Sequence, residues 1–394
     1  MRWLFHDPDD RVEAAARNKI LARIDRWWDE FKSRSRDLSD QFRGKKKWDL
    51  PGWMHQTLQR IDSNLCWEFG PAVLTEGHRL VITPESRKNL RPLIRTILDR
   101  APDLPGWEFY PYRLAEEVEQ AACAVQGRTG GSLEGVTAEL QIGEENRIDL
   151  MFRVPGASGE DDQQALNVAF VATESLLGEQ ALDKWAGVIE AAPPVRGGKS
   201  RAIPLARLKE TFDALVESIR DRLPDRPFMD QGEGEWTLLE LKPEEANDYA
   251  RRADLLIAGT RDLELFKAAH GTAPFYSERF SRCKETFAYI KIDGSEGLEG
   301  SKFADRKEIE KAIDEALARD HLGVHVGVGT GLMYSYIDLA LIDLRRGVQT
   351  ARRTLQKGRV PKRAWILFFD ADLADEWVGV YPETPPPPVE SNGD

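Results

Sequence analysis

The chain has 394 residues, and its 55 lysines and arginines against 67 aspartates and glutamates give a formal net charge of −12 at neutral pH. This length predicts about two or three domains, and 11 tryptophans with 16 phenylalanines exclude a wholly disordered chain. The acidic balance excludes a protein that coats nucleic acid non-specifically, because neutralising phosphates requires concentrated lysine and arginine.

The targeting and redox signals predict a cytoplasmic protein. No apolar run approaches the length of a membrane span, and the first ten residues lack the apolar core of a secretory signal. Cys66, Cys123 and Cys283 lie far apart in apolar surroundings, which is typical of reduced thiols. The C-x-x-C spacing of a zinc site does not occur, and no cofactor motif is present, so we expect neither a metal nor a cofactor.

The first third of the chain predicts helices and one β-hairpin. Apolar residues recur at helical spacing over 11–38, and a Pro-Gly turn opens a second helix over 51–61. Two short apolar runs, 65–69 and 78–83, flank a turn and predict the hairpin. A third helix is predicted over 86–100, where leucines and isoleucines share one face.

The amino-acid sequence of this hairpin resembles that of known proteins. Trp67-Glu68-Phe69-Gly70-Pro71 and His78-Arg79-Leu80-Val81-Ile82-Thr83-Pro84-Glu85 resemble conserved hypothetical proteins of bacteria of unknown function. The resemblance covers the first third of the chain and implies no activity for it.

Two later stretches predict the same order of elements: strand, helix, two strands, helix and strand. Both contain the triplet Ile-Asp-Leu at the same place, 148–150 and 337–339, and their last strands begin alike with Trp185 and Trp365. This is the βαββαβ order of a ferredoxin-like unit, and its recurrence predicts a duplication. The first stretch comprises 107–113, 116–125, 136–142, 147–154, 163–177 and 184–189; the second comprises 286–292, 305–318, 322–329, 333–342, 345–356 and 363–369.

The sequence therefore predicts an α+β fold of tandem duplicated ferredoxin-like (βαββαβ) units with mainly antiparallel sheets and extra N-terminal helices. Between the stretches we expect a helix over 205–223 and a strand over 236–241, whereas 243–283 shows no clear pattern. The predicted divisions are an N-terminal helical segment 1–64, a first α+β domain 65–192, a linker 193–202, a second α+β domain 203–381 and a disordered proline-rich tail 382–394.

One face of the second predicted sheet collects polar and aromatic side chains. Strand alternation directs Val324, Val326 and Val328 toward the two helices. A two-residue turn at Thr330-Gly331 would set His325 opposite Tyr336, with Asp338 on the diagonal. The side chains predicted on the other face are Phe287, Tyr289, Lys291, His325, Gly327, Tyr334, Tyr336 and Asp338, and Asp149 is the equivalent of Asp338 in the first stretch.

A histidine beside a carboxylate has the chemistry of a general base held in one tautomer. The candidate catalytic residues are therefore His325, Tyr336 and Asp338, and the candidate ligand-binding residues are Tyr289, Lys291, Tyr334 and Asp149. The alternative is that other parts of the chain cover this face and that these groups form a satisfied polar network. The last predicted strand, 363–369, is apolar on both faces, which favours the covered arrangement.

Three functions are compatible with the sequence, which favours a non-enzymatic one. The first is a cytoplasmic binding or regulatory protein that binds or neutralises a cationic protein partner, because acidic charge speeds such an association. The second is an enzyme or small-ligand binder that uses the face around His325, Tyr336 and Asp338. The third is RNA binding through the sheet aromatics, against which the chain is acidic and lacks the RNP1 pattern.

Overall fold

The structure is a computed structural model that describes residues 1–159, 162–195, 201–232, 234–295 and 297–389. Residues 196–200 of the predicted linker and 390–394 of the predicted tail lie outside the described residues. The fold is mixed α+β, as the sequence predicts, and it divides into two compact units. The first unit comprises Met1–Glu139, Met151–Asp183 and Ile189–Lys209, and the second comprises Leu140–Leu150, Lys184–Val188 and Glu210–Asp394.

The helices follow the predicted apolar patterns closely at the N-terminus. The first begins after Asp10, whose side chain accepts hydrogen bonds from the N–H groups of Val12 and Glu13. The helices are α1 (Arg11–Phe42), α2 (Leu50–Thr57), α3 (Arg91–Leu98), α4 (Val118–Thr129), α5 (Gln163–Leu177), α6 (Glu179–Trp185), α7 (Leu208–Arg222), α8 (Leu263–His270), α9 (Arg306–Arg319) and α10 (Leu344–Gly358). Within the described residues, no helix is both long and apolar enough to cross a bilayer.

Within the described ranges, the strands form three sheets. The strands are β1 (Cys66–Pro71), β2 (His78–Thr83), β3 (Trp107–Tyr110), β4 (Thr137–Ile142), β5 (Ile148–Arg153), β6 (Ala186–Ala192), β7 (Ile203–Pro204), β8 (Thr237–Glu240), β9 (Leu255–Thr260), β10 (Thr286–Asp293), β11 (Gly323–Gly331), β12 (Tyr334–Leu341), β13 (Ala364–Phe368) and β14 (Trp377–Gly379). The sheet orders are β1-β2-β3, β6-β5-β4-β7 and β14-β13-β10-β12-β11-β9-β8.

The core of the first unit lies between the N-terminal helices and one face of the β1-β2-β3 sheet. Trp28 and Phe31 of α1 make edge-on ring contacts with Phe109 at 4.8 Å and with Trp107 at 4.9 Å, geometries that aromatic quadrupoles favour. β1 and β2 form the predicted antiparallel hairpin. Because side chains alternate along a strand, Glu68 lies on the opposite face of this sheet, together with the buried Val81 that pairs with it.

The first predicted ferredoxin-like unit differs from the structure. β3 pairs in parallel with β2, so it lies outside the sheet that contains β4 and β5. In a ferredoxin-like unit β3 would lie next to β5, but β6 occupies that place. Trp185 ends α6 and does not begin the last strand. The reason is the tertiary pairing of Trp107–Tyr110 with an earlier hairpin, which local patterns do not encode. A tandem duplication is therefore not confirmed.

The second unit is built on the seven-stranded sheet. β10, α9, β11, β12, α10 and β13 occur in the predicted order, and their strands are arranged β13-β10-β12-β11 with antiparallel neighbours. β14 extends this sheet on one side, and β9 and β8 extend it on the other. Strand β8 is therefore an edge of the sheet.

The β11–β12 hairpin has a different register from the predicted one. Its loop is Leu332-Met333 and not Thr330-Gly331, so Gly327 pairs with Asp338. A β-bulge between His325 and Gly327 then sets His325 opposite Leu339. Since opposite residues share a face and neighbours alternate, His325 faces the same side as Leu339, whereas Asp338 faces the other.

Part of the predicted disordered tail is fixed to the second unit. The hydroxyl of the buried Thr384 donates to the carbonyl of Lys362 at 2.9 Å, and the indole N–H of Trp365 donates to the carbonyl of Pro385 at 2.6 Å. These bonds give the segment specific partners that composition alone does not reveal. The prediction of a disordered tail from 382 therefore does not apply to Thr384 and Pro385.

Candidate functional site

His325 lies on a different face of the sheet from Tyr336 and Asp338, the two other candidate catalytic residues. It lies on the side of β11 that faces α9, where its backbone N–H donates to Asp314 Oδ1 at 2.9 Å and its Nδ1 lies 2.5 Å from Asp314 Oδ2. Because an ionised carboxylate only accepts, the ring carries its proton on Nδ1. The expected pairing of a histidine with a carboxylate exists, but the carboxylate is Asp314 and not Asp338.

The face that carries Tyr336 and Asp338 is covered. Tyr289, Tyr334 and Tyr336 are 4%, 1% and 0% exposed, so these rings present no open face on which a nucleic-acid base could stack. The hydroxyl of Tyr336 donates to Asp254, and that of Tyr334 donates to Asp248 at 2.5 Å. The covering segment lies within 243–283, where the sequence predicts no clear element.

Glycines of β11 provide the space for this covering segment. Gly327 and Gly329 lie opposite Asp338 and Tyr336. A Cβ atom on Gly329 would lie 2.4 Å from a methyl carbon of Leu255, which is closer than any real contact. Because Gly327 and Gly329 have no side chains, this part of β11 leaves space for another chain segment to pack against it.

An ion pair in the core holds this segment to the sheet. Arg252 Nη1 donates to Asp338 Oδ2 at 3.1 Å, and both side chains are buried. Burial raises the pKa of Asp338, although the guanidinium of Arg252 acts in the opposite direction. Within the described chain, Nε and Nη2 of Arg252 and Oδ1 of Asp338 have no hydrogen-bond partner. The pair is a structural contact and does not face a substrate space.

Lys291 and Asp149 also make internal contacts. The ammonium of Lys291 donates to the carbonyl of Tyr249, and burial lowers the pKa of Lys291 to about 8 against the opposing effect of nearby carboxylates. Asp149 Oδ1 accepts from the N–H of Val188 at 2.8 Å. A Cβ atom on Gly187 would lie 2.2 Å from this carboxylate. Both side chains thus organise backbone within the second unit.

A polar cleft of about 270 Å³ occurs in the first unit. It lies on the face of the β1-β2-β3 sheet opposite the aromatic core, because Glu68 alternates with core residues along β1. Four carboxylates and two guanidinium groups contribute to its lining, so its charge is negative. The lining residues are Glu68, Glu85, Arg113, Leu114, Glu116, Ala124, Arg128, Glu174 and Ser175.

Arg113 donates hydrogen bonds to two carboxylates in one half of this cleft. Its Nη2 donates to Glu85 at 2.6 Å and its Nη1 donates to Glu174 at 2.8 Å, while Arg128 gives Glu174 a second bond. The bond from Arg113 lowers the pKa of Glu85. Burial alone would lower the pKa of Arg113, but the two carboxylates outweigh it and raise that pKa. Arg113 and Arg128 thus bind both oxygens of Glu174 and one oxygen of Glu85 through short, charge-assisted hydrogen bonds.

The other half of the cleft contains two carboxylates with weak partners. Arg79 Nη2 lies 3.4 Å from Glu68 and 3.4 Å from Glu116, and Arg113 Nε lies 3.4 Å from the second oxygen of Glu68. The second oxygen of Glu116 has no hydrogen-bond partner among the described residues. Burial and then the repulsion of Glu68 raise the pKa of Glu116. This corner therefore has unused acceptor capacity.

The thiol beside the cleft has little nucleophilic character. Burial raises the pKa of the neighbouring Cys66 thiol, and the carboxylate of Glu85 raises it further, so the reactive thiolate is disfavoured. The lining includes no histidine that could serve as a base. In the described part of the chain, no group of three or more histidine, cysteine or acidic side chains could hold a metal ion.

Sequence reasoning missed this cleft because its charged groups come from separate segments. Glu68 lies on β1, Glu116 lies between β3 and α4, and Glu174 lies on α5. The one available signal was local: Glu68 stands between two aromatic residues of a hairpin strand that has one core face. That pattern indicates a polar outer face, but it does not indicate which distant groups meet there.

Comparisons with known protein families, with curated proteins and with solved structures find no match for this chain.

Proposed function

We propose that the chain is a cytoplasmic binding protein that recognises a cationic side chain of a protein partner and can thereby neutralise that partner. The cleft of the first unit is the acceptor in this proposal. The observation that carries it is the pair Glu68 and Glu116, whose closest cationic contacts are 3.4 Å long. Burial, and after it the repulsion of Glu68, raises the pKa of Glu116, and a cation held near both carboxylates would reduce that repulsion.

The size of the cleft suits a single side chain. Sites for drug-sized ligands usually measure about 300–1,000 Å³, whereas this cleft measures about 270 Å³. A guanidinium group presents five N–H donors in a planar fork, and it can bridge two carboxylates more effectively than an ammonium group can. Arginine is therefore the preferred occupant.

The whole-chain charge supports the same partner class. A net charge of −12 attracts a basic protein over long range, which raises the association rate at low ionic strength. Binding through a carboxylate corner and long-range attraction are independent effects, so they can be separated by substitution and by salt.

We expect N-acetyl-arginine amide to bind and N-acetyl-citrulline amide, which has the same shape without the charge, not to bind. Glu116→Gln should weaken arginine binding at least about fivefold, because it removes one charged acceptor. The matched control is Glu119→Gln, which removes an exposed carboxylate on the first turn of α4. Titration followed by NMR chemical shifts measures the weak affinities that a single side chain provides.

The same titration should depend on pH in a defined direction. Because burial and the repulsion of Glu68 raise the pKa of Glu116 above that of an ordinary glutamate, its carboxyl becomes protonated at a higher pH, and arginine affinity should fall as the pH drops through that range. Glu116→Gln should remove this component of the pH dependence while leaving thermal unfolding at pH 7 unchanged or slightly higher in temperature. Equal binding of the citrulline compound, or an unchanged affinity of Glu116→Gln, would contradict the proposal.

A further inference from the structure

We infer that β8 is a docking edge on which an extended basic segment of a partner protein adds a further strand to the sheet of the second unit. This inference rests on the proposed function only in expecting a basic partner. It concerns a different surface, and it depends on backbone hydrogen bonding and not on the carboxylate cleft.

The edge of β8 is open. On one side, Thr237 to Glu240 pair with Thr260 to Ile257 of β9. On the other side, no strand of the described residues pairs with β8. An edge strand presents N–H and C=O groups that an extended peptide can pair with, and this mode of binding is common among peptide-recognition domains.

Large apolar side chains line the same edge. Trp236, Leu238 and Ile257 are 39%, 76% and 52% exposed. Trp236 and Leu238 are two residues apart and share a face of the strand, and Ile257 lies opposite Glu240 on that same face. Such a cluster gives an added strand apolar positions against which its alternate side chains can pack.

The edge lacks several of the usual protections against strand addition. Proteins commonly blunt an exposed edge with a very short strand, charged side chains, proline or a bulge. β8 is short and ends in Glu240, but it contains no lysine, proline or bulge, and Thr237–Glu240 pair with β9 in an unbroken register. A regular and largely apolar edge is a surface suited to pairing. An alternation of apolar and charged residues in the partner would match it.

Carboxylates at both ends of the apolar run favour a basic partner segment, although Arg261 and Lys242 lie close to the same edge. Glu235 and Glu240 are exposed at the two ends of the apolar run. A third carboxylate, that of Asp314, contacts His325, whose ring centroid lies 5.4 Å from that of Trp236. Lysine or arginine in the added strand would pair with these carboxylates across the edge. A second copy of this chain would bring the same carboxylates and a further net charge of −12, so it is the disfavoured occupant.

The test uses three fluorescent decapeptides and fluorescence anisotropy. The first alternates valine and lysine, the second has the same sequence with N-methylated amides on alternate residues, and the third alternates valine and glutamate. Leu238→Lys places a charge in the middle of the edge at an exposed position. Its matched control is Val12→Lys, which adds the same charge at an exposed apolar position of α1.

The valine-lysine peptide should bind, and both N-methylation and Leu238→Lys should weaken it at least tenfold, while Val12→Lys changes the affinity less than twofold. Absence of binding, equal binding of the N-methylated peptide, or equal losses in the two lysine variants would overturn the inference. Self-association of the chain that Leu238→Lys abolishes would overturn it in favour of a second copy.

The two proposals fail separately. If arginine amide binds in the cleft and the peptide does not bind at β8, only the edge inference fails. If Glu116→Gln leaves arginine binding unchanged while Leu238→Lys abolishes peptide binding, only the cleft proposal fails.

Discussion

At the residue scale, the second unit uses charged side chains inside its core. Arg252 and Asp338 are paired there, and the Arg252 guanidinium lies between 5.3 and 5.9 Å from the ring centres of four aromatic residues. Removing both charges from water costs about as much as their attraction returns. Their main effect is therefore on which segment covers the sheet, since an unpaired member would be expensive to bury.

Arg252 and Asp338 should be coupled in a double-mutant cycle. Arg252→Met should lower the free energy of unfolding by about 3 kcal/mol, because Asp338 remains buried without its partner. Adding Asp338→Asn to that variant should recover part of the loss, with a coupling energy of at least about 1 kcal/mol. Urea unfolding of the four proteins measures the cycle, and strictly additive effects would contradict a pairwise role.

Strand alternation could locate much of this polar face but not all of it. Tyr336 and Asp338 do share a face, since their spacing of two residues is intrinsic to a strand. His325 lies on the other face because one extra residue at the bulge reverses the alternation along β11. The hairpin loop was misplaced for a related reason: the glycines that suggest a turn at Thr330-Gly331 serve close packing instead.

At the element scale, β11 shows how a strand can be shaped for a neighbour that is distant in sequence. Its glycines admit Leu255 and the segment before it, so the strand's composition reflects what lies on it and not its own backbone preference. The order of the six elements from β10 to β13 was predictable, because each of them has its own apolar period. The placement of β3 was not, since a short apolar strand can pair in either sheet with similar local preferences.

Two glycine substitutions, one in β11 and one in α4, should change the free energy of unfolding in opposite directions. Gly329→Ala should lower the free energy of unfolding by about 2 kcal/mol, because its Cβ would displace Leu255. Gly127→Ala should raise it by about 0.5–1 kcal/mol, because this residue lies in α4 with nothing within 4 Å of the added atom. Chemical denaturation of both variants is the measurement, and a neutral Gly329→Ala would refute the close-packing account.

At the scale of the whole molecule, the two compact units are interleaved along the chain. The backbone passes between them five times, at residues 139, 150, 183, 188 and 209. The sequence suggests consecutive domains because a proline- and glycine-rich stretch is a local signal, whereas membership of a unit is decided by tertiary pairing. Strands β4, β5 and β6 each have residues in both units, so neither unit can lose these strands alone.

We therefore expect one cooperative unfolding transition. Phe31→Ala, which removes a fully buried ring of the first unit, should destabilise the protein by about 3–5 kcal/mol and shift the single calorimetric peak. Phe170→Ala, at a half-exposed phenylalanine of α5, should shift the peak much less. Two separate peaks, of which only one responds to Phe31→Ala, would show that the units unfold independently.

The aromatic core of α1 has a spectroscopic consequence. Seven of the 11 tryptophans belong to the first unit, and the rings of Trp27 and Trp28 are only 4.4 Å apart between centroids. Closely packed indoles exchange excitation energy and couple their transitions, so the near-ultraviolet circular dichroism and the bulk emission of the chain describe this unit above all. Trp236, by contrast, is an exposed indole, and its emission should shift to the blue when a strand covers the β8 edge.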